Sequence, residues 1–238
     1  MISGRTRYYF RVSTRDSMNK SCILFLIPAL GFLFAGCRNG NLDKGDMCLR
    51  LGDYPMAIAF YSDEVKRCPD SYRARLGLGK SLLQKSYDGD SSAWKDALVQ
   101  LEAARTLSPG SDLAGLLGEV YLQRAHLLLA ARDSLGALSA LSRAIECNNR
   151  ALEPVNLAGI IYFRMGDVDK SEMLFKKAVG LDSASASARF NLGMVYWHSG
   201  RYKDAHGQWL AALAASPGDR DMLYWFALAE KKLRETAQ

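Results

Sequence analysis

Small, bulky and polar residues recur along this chain with the beat of a paired helix. Gly45, Gly79, Gly118, Gly159 and Gly193, followed by Ala227, are spaced by 34, 39, 41, 34 and 34 residues. A second small residue follows within each unit: Ala57, Ala97, Ala137, Ser171 and Ala205. It comes twelve positions on in three units, and eighteen or nineteen on in the second and third, so the extra residues lie inside those two. Four positions further stand Tyr61, Leu101, Leu141, Phe175 and Trp209. Seven positions after the second small residue stand Ala104, Ala144, Ala178 and Ala212, with Glu64 out of pattern. Steps of three and four residues put such positions on one helix face. Gly52-Asp53-Tyr54, Gly166-Asp167-Val168 and Gly200-Arg201-Tyr202 mark turns between the two halves of a unit. Units close near Pro69, Pro109 and Pro217, where the ring cannot continue a helix, and near Asn149 and Ser183 in the other two. The element predicted is an antiparallel helix pair, with small residues where the backbones approach and bulky ones filling the space beside them.

This spacing resembles the tetratricopeptide repeat. The fifth unit carries the likeness most fully, in Asn191-Leu192-Gly193-Met194-Val195-Tyr196 and then Gly200, Tyr202, Ala205, Trp209, Ala212 and Pro217. The resemblance implies an all-α fold, a right-handed α-α superhelix of about five helix-turn-helix repeats within residues 37–219. The expected repeats are 38–71, 72–110, 111–151, 152–185 and 186–219, closed by a capping helix over 220–238. In that cap, Leu223, Phe226, Ala227 and Leu233 read as the covering face, and Glu230, Lys231, Lys232 and Arg234 as the wet one. The second unit inserts a turn-rich loop from Ser86 to Ser92. The third stays helical in composition from Leu116 to Ala131, which predicts a first helix about two turns too long.

Before the repeats, Cys22 to Gly36 form an apolar run shorter than the ~20 residues a spanning helix needs. A basic flank precedes it and small residues end it, the pattern of a secretory signal over residues 1–36. The ending Leu33-Phe34-Ala35-Gly36-Cys37 resembles the lipobox of bacterial lipoproteins, with Phe34 where leucine is commonest. That resemblance makes Cys37 the lipidated N-terminus of the mature chain, and the proportions of Met18 to Cys37 make Met18 the expected start. Arg38 is not the aspartate that retains enterobacterial lipoproteins at the inner membrane. The expected location is therefore the bacterial envelope, on the outer membrane facing the periplasm.

Charge changes little in this picture. Of 31 basic residues five precede Cys37 against the lone Asp16, and the remainder holds 26 basic and 24 acidic side chains. A near-neutral mature chain gives no reason to expect nucleic acid. Hydrophobic residues at 49% and charged ones at 24% exclude a disordered or collagenous chain. Cys48, Cys68 and Cys147 form no close pair, which argues against a disulfide framework or zinc knuckle.

Candidate chemistry is sparse. Ala74 to Ser81 satisfies a permissive phosphate-loop pattern, but no strand precedes it and Gly79 is the repeat glycine. Ser92 and Lys95 have a serine-acylase spacing without its companion motifs. Asp88 and Asp90 begin a calcium-like loop that lacks its closing carboxylate. His126, His198 and His206 share no ligand spacing. No catalytic set, metal or cofactor is expected.

What remains is the groove that first helices line in the family resembled. Its positions map onto Arg73, Lys80 and Gln84 in the second unit, and Asn156, Phe163 and Arg164 in the fourth. Phe190, Met194 and Trp197 follow in the fifth and Tyr224 in the cap, a basic first half and an aromatic second half. Aromatic and arginine anchors suit a binding surface, and the competing reading is that Phe190 and Trp197 pack between neighbouring helices. The expected activity is scaffolding, with other envelope proteins or extended peptide segments as partners and the membrane reached through the lipid. Assembly of a type IV pilus secretin or of the outer membrane, regulation of peptidoglycan hydrolases, and an accessory or hydrolytic enzyme are the alternatives.

Overall fold

The structure, a computed structural model, describes residues 40–109 and 113–236; the expectations for the signal and Cys37 lie outside them. The described residues form eleven helices and no strand, so the chain is all-α. They are α1 (Gly40–Leu51), α2 (Tyr54–Arg67), α3 (Tyr72–Tyr87), α4 (Ala93–Leu107), α5 (Ala114–Ala130), α6 (Ser134–Cys147), α7 (Leu152–Arg164), α8 (Val168–Leu181), α9 (Ala186–His198), α10 (Tyr202–Ala215) and α11 (Arg220–Thr236). They pair in order as five helix-turn-helix repeats with α11 as a final single helix. Two compact units result, α1–α4 and α5–α11.

Local chemistry explains the punctuation. Gly52, Gly166 and Gly200 take positive φ in three turns, where a Cβ would be strained. Arg132 holds the matching place in the third repeat at φ 63°, a left-handed conformation without a glycine. Asp53, Asp133 and Asp167 then accept from the backbone N–H three residues on, satisfying a donor that the start of each second helix leaves open. The third repeat does have a lengthened first helix, but α5 exceeds α7 by four residues, about one turn rather than two.

Within the first unit, the Tyr61 ring lies between α1 and α3. A Cβ on Gly45 would come within 2.8 Å of it and one on Gly77 within 2.3 Å, so both helices need glycine there. Glu64, out of pattern in sequence, is buried against the Arg67 guanidinium (Nη2 to Oε2, 2.7 Å). Pairing makes a buried carboxylate tolerable where other repeats have alanine.

In the second unit, Phe175 and Trp209 fill the same kind of socket at Gly159 and Gly193. Trp209 is fully buried and donates from Nε1 to the Phe190 carbonyl at 3.1 Å. Ser171 stands among the buried alanines of the other repeats, and its Oγ has no hydrogen-bond partner. Ser171→Ala is therefore expected to stabilise the fold by about 1 kcal/mol, since it removes an unpaired buried hydroxyl. A chemical denaturation midpoint that falls would show that the hydroxyl is satisfied.

The final helix covers the fifth repeat with Met222 and Ala229, both buried, and with half-buried Trp225 and Phe226. Leu223 and Ala227, read from sequence as part of that face, point outward instead. The true face shares Phe226 with the one expected but is turned from it by roughly 90° around the helix.

Candidate functional site

Each unit carries its own set of the residues expected to bind. In the first, Arg73 at the start of α3 reaches back to α1, donating from Nη2 to Asp43 (3.1 Å) and from Nε to Asp46 (3.0 Å). The buried Tyr61 hydroxyl donates to the other Asp46 oxygen. Partial burial pushes the Asp46 carboxyl up, but bonds from Tyr61 and Arg73 outweigh it and leave the group below its ordinary range. Burial, then the bond to Asp46, raises the Tyr61 phenol well above its usual value, so it stays a donor. Arg73 therefore joins α3 to α1, and its charge is matched by two carboxylates. Lys80 is exposed on the same helix and Gln84 half-buried.

This network has a pH signature. A depressed folded value means that Asp46 contributes stability above its unfolded pKa, near 3.9, and loses it as pH falls through the folded value. Asp46→Asn is expected to cost about 2 kcal/mol at neutral pH, the scale of a charge-assisted bond. The difference from wild type should shrink below about pH 4. Denaturation of both proteins at pH 7 and pH 3 reads this directly; a constant difference would mean that ionisation of Asp46 is not involved.

In the second unit the expected residues divide by depth. Phe190 and Met194 are core, 4% and 1% exposed, and present no surface to a partner. Asn156 is 8% exposed, and its Oδ1 accepts from Nδ2 of the fully buried Asn191 at 3.0 Å, tying α7 to α9. Nearer the surface, Phe163 meets His198 edge-on at 5.0 Å. Burial lowers the His198 pKa, which favours the neutral ring. Trp197 is half-buried and sits against Tyr202 (4.8 Å), Trp225 (5.8 Å) and Trp209 (5.9 Å). It thus packs against α10 and α11 as well as offering an edge, so the packing reading applies to it alongside the groove position expected from sequence. Tyr224 stands exposed, edge-on to Trp225. Arg164 is exposed at the end of α7.

Residues 74–81, the phosphate-loop look-alike, lie inside continuous α3, whose backbone donors serve the helix, and Gly79 is packed against Leu101. Among the described residues no group of three His, Cys, Asp or Glu side chains converges as a metal site. None of the described helices is long and apolar enough to cross a membrane.

Sequence reasoning missed one recurrent device. Arg75 donates to the Pro69 carbonyl (2.6 Å) and to Gln100 (2.9 Å). Arg189 does the same with the Ser183 carbonyl (2.7 Å) and Gln208 (3.2 Å). The signal is legible afterwards, as an arginine four residues before the repeat glycine and a glutamine one before the bulky residue.

The profile of the tetratricopeptide repeat family matches residues 156–230. No curated protein sequence matches the chain. Among solved structures, MamA protein aligns at 24% identity over 74% of this chain and 90% of its own, with a TM-score of 0.52. YrrB, described as a TPR protein with an unusual peptide-binding site, aligns at 20% identity over 77% and 89%, with a TM-score of 0.53. A MamA from Desulfovibrio magneticus RS-1 aligns at 16% identity over 76% and 95%, with a TM-score of 0.51. Residues 156–230 thus carry the tetratricopeptide repeat, and the chain has the fold of tetratricopeptide repeat proteins.

Proposed function

We propose that this protein is a non-catalytic scaffold, held on the bacterial envelope by lipid at Cys37, that binds an extended segment of a partner protein. The observation that carries the binding reading is the aromatic strip of the second unit. It comprises the Phe163–His198 pair and the Trp197–Trp225–Tyr224 cluster, brought near each other by the adjacent positions of Trp197 and His198 at the end of α9, with Arg164 beside Phe163 in the chain. Half-exposed rings give large contact area at small entropic cost, and arginine adds charge-assisted bonds to carboxylates or backbone carbonyls. YrrB, a protein of the same fold, is described by its peptide-binding site, which fits this use of the architecture. The lipobox resemblance supplies the anchor, and Arg38 favours the outer membrane, facing the periplasm.

Two measurements test the two halves. Cys37→Ser should abolish labelling by a metabolic fatty acid and release the protein from membranes; a variant that still labels removes the anchor. Capture from solubilised envelopes should lose its specific partners with Arg164→Glu. An unchanged set of captured proteins would leave the strip without a binding role.

A further inference from the structure

The outer face of the final helix occupies a position that the internal repeat fills elsewhere in the chain. Ser71, Ala151, Ser185 and Asp219 are the residues that precede α3, α7, α9 and α11. Eight positions on stand Gly79, Gly159, Gly193 and Ala227. The first three glycines each receive a bulky side chain from the following helix: Leu101, Phe175 and Trp209. The register of α11 is held by Asp219, whose Oδ1 accepts from Met222 N as Ser185 Oγ accepts from Ala188 N. Ala227 is therefore the same socket position, and it is exposed, with Leu223 beside it 46% exposed.

Basic residues frame this face. Arg220, Lys231 and Arg234 lie within about 40° of Ala227 around the helix, at 100° per residue, and all three are exposed. Of the neighbouring carboxylates, Glu230 faces His206 (3.9 Å), while Glu235 is shared between Lys232 (3.2 Å) and Lys231 (4.0 Å), so Arg220 and Arg234 carry most of the charge on this face. A second copy of the chain is a poor occupant, because antiparallel self-pairing centred on Ala227 would set Arg220 of one copy against Arg234 of the other. From the repeat register and this charge we infer that the outer face of α11 docks an acidic-flanked amphipathic helix from a partner protein. Its recognition stripe is small, bulky, small at steps of four and three, as in Ser171, Phe175, Ala178 and Ala205, Trp209, Ala212.

The occupant packs as α10 packs on α9. Its bulky side chain covers Ala227, its small residues allow the helices to approach, and its carboxylates meet Arg220, Lys231 and Arg234. Tyr224, the end of the aromatic strip, lies about 60° from Ala227 and borders this face, so the two readings are told apart by Arg164→Glu, remote from α11 in sequence, and by Ala227→Trp, which alters α11 alone.

The test uses the full chain and a synthetic peptide with the α10 sequence, Tyr202–Ala215, extended at each end by glutamates. Calorimetric titration should show one-to-one binding. Ala227→Trp, which fills the socket on an exposed face, should weaken it at least tenfold with an unchanged circular dichroism spectrum and melting temperature. Arg220→Glu with Arg234→Glu should weaken it as much and remove most of its salt dependence. Substituting alanine for tryptophan in the peptide should have the same effect as blocking the socket. Absence of binding to wild type, or equal affinity for Ala227→Trp, overturns the inference. So does a wild-type dimer that Ala227→Trp dissolves, which would make the second copy the occupant.

Discussion

Trp209→Ala is expected to cost about 3–5 kcal/mol, enough to unfold the end of the array at moderate temperature. The ring is fully buried and occupies the socket at Gly193, where even a Cβ would lie 2.4 Å from its Nε1. It also holds the Phe190 carbonyl and touches Trp197 and Trp225 at 5.9 and 5.7 Å. In a repeat array each unit leans on its neighbours, so protection from hydrogen exchange should fall first in α9–α11 and last in α1–α4. Uniform loss across all eleven helices would show that the array unfolds as a single cooperative block.

Trp197→Ala is expected to act on stability and binding together. Three ring contacts to α10 and α11 disappear, and pairs of this kind contribute about 0.5–1.5 kcal/mol each beyond their area, so a loss of about 2–3 kcal/mol follows. Partner affinity should fall about thirtyfold or more, equivalent to the ~2 kcal/mol of a hot spot. Tyr224→Ala separates the two effects, because its exposed ring supports no helix beyond its edge contact with Trp225. That variant should lose affinity while melting as wild type does. Normal binding by the folded fraction of Trp197→Ala would make Trp197 a packing residue alone.

The repeat was legible because backbone approach leaves few choices. Where two helices cross closely only glycine, alanine or serine fits, and the ring or isobutyl group beside it must be large. Hence Ala57, Ala97, Ala137, Ser171 and Ala205 are all buried, as are Tyr61, Leu101, Leu141, Phe175 and Trp209. The third turn was harder to read, since Arg132 takes a left-handed conformation that composition assigns to glycine. The final helix was misread by position, because an apolar residue such as Leu223 meets the socket pattern whether or not a helix covers it. Depth along the inner face was illegible for a related reason. Met194 and Tyr224 both fall on groove positions, yet α9 is enclosed by neighbours and α11 has one side open, which a residue's own identity does not reveal.

The paired arginine brackets have a consequence for grafting repeats between arrays. Arg75 and Arg189 each fasten the carbonyl of the preceding inter-repeat loop to a glutamine on the following helix, in the same three-part joint. The fourth repeat has Val155 and Leu174 at those two places and makes its joint from apolar contact. Joints of the two kinds are not interchangeable by halves. An inserted arginine without its glutamine brings an unmatched cation to a seam, and a lone glutamine brings an unmatched amide. A transplanted helix pair keeps its seam only when it carries both members and follows a loop whose carbonyl faces them.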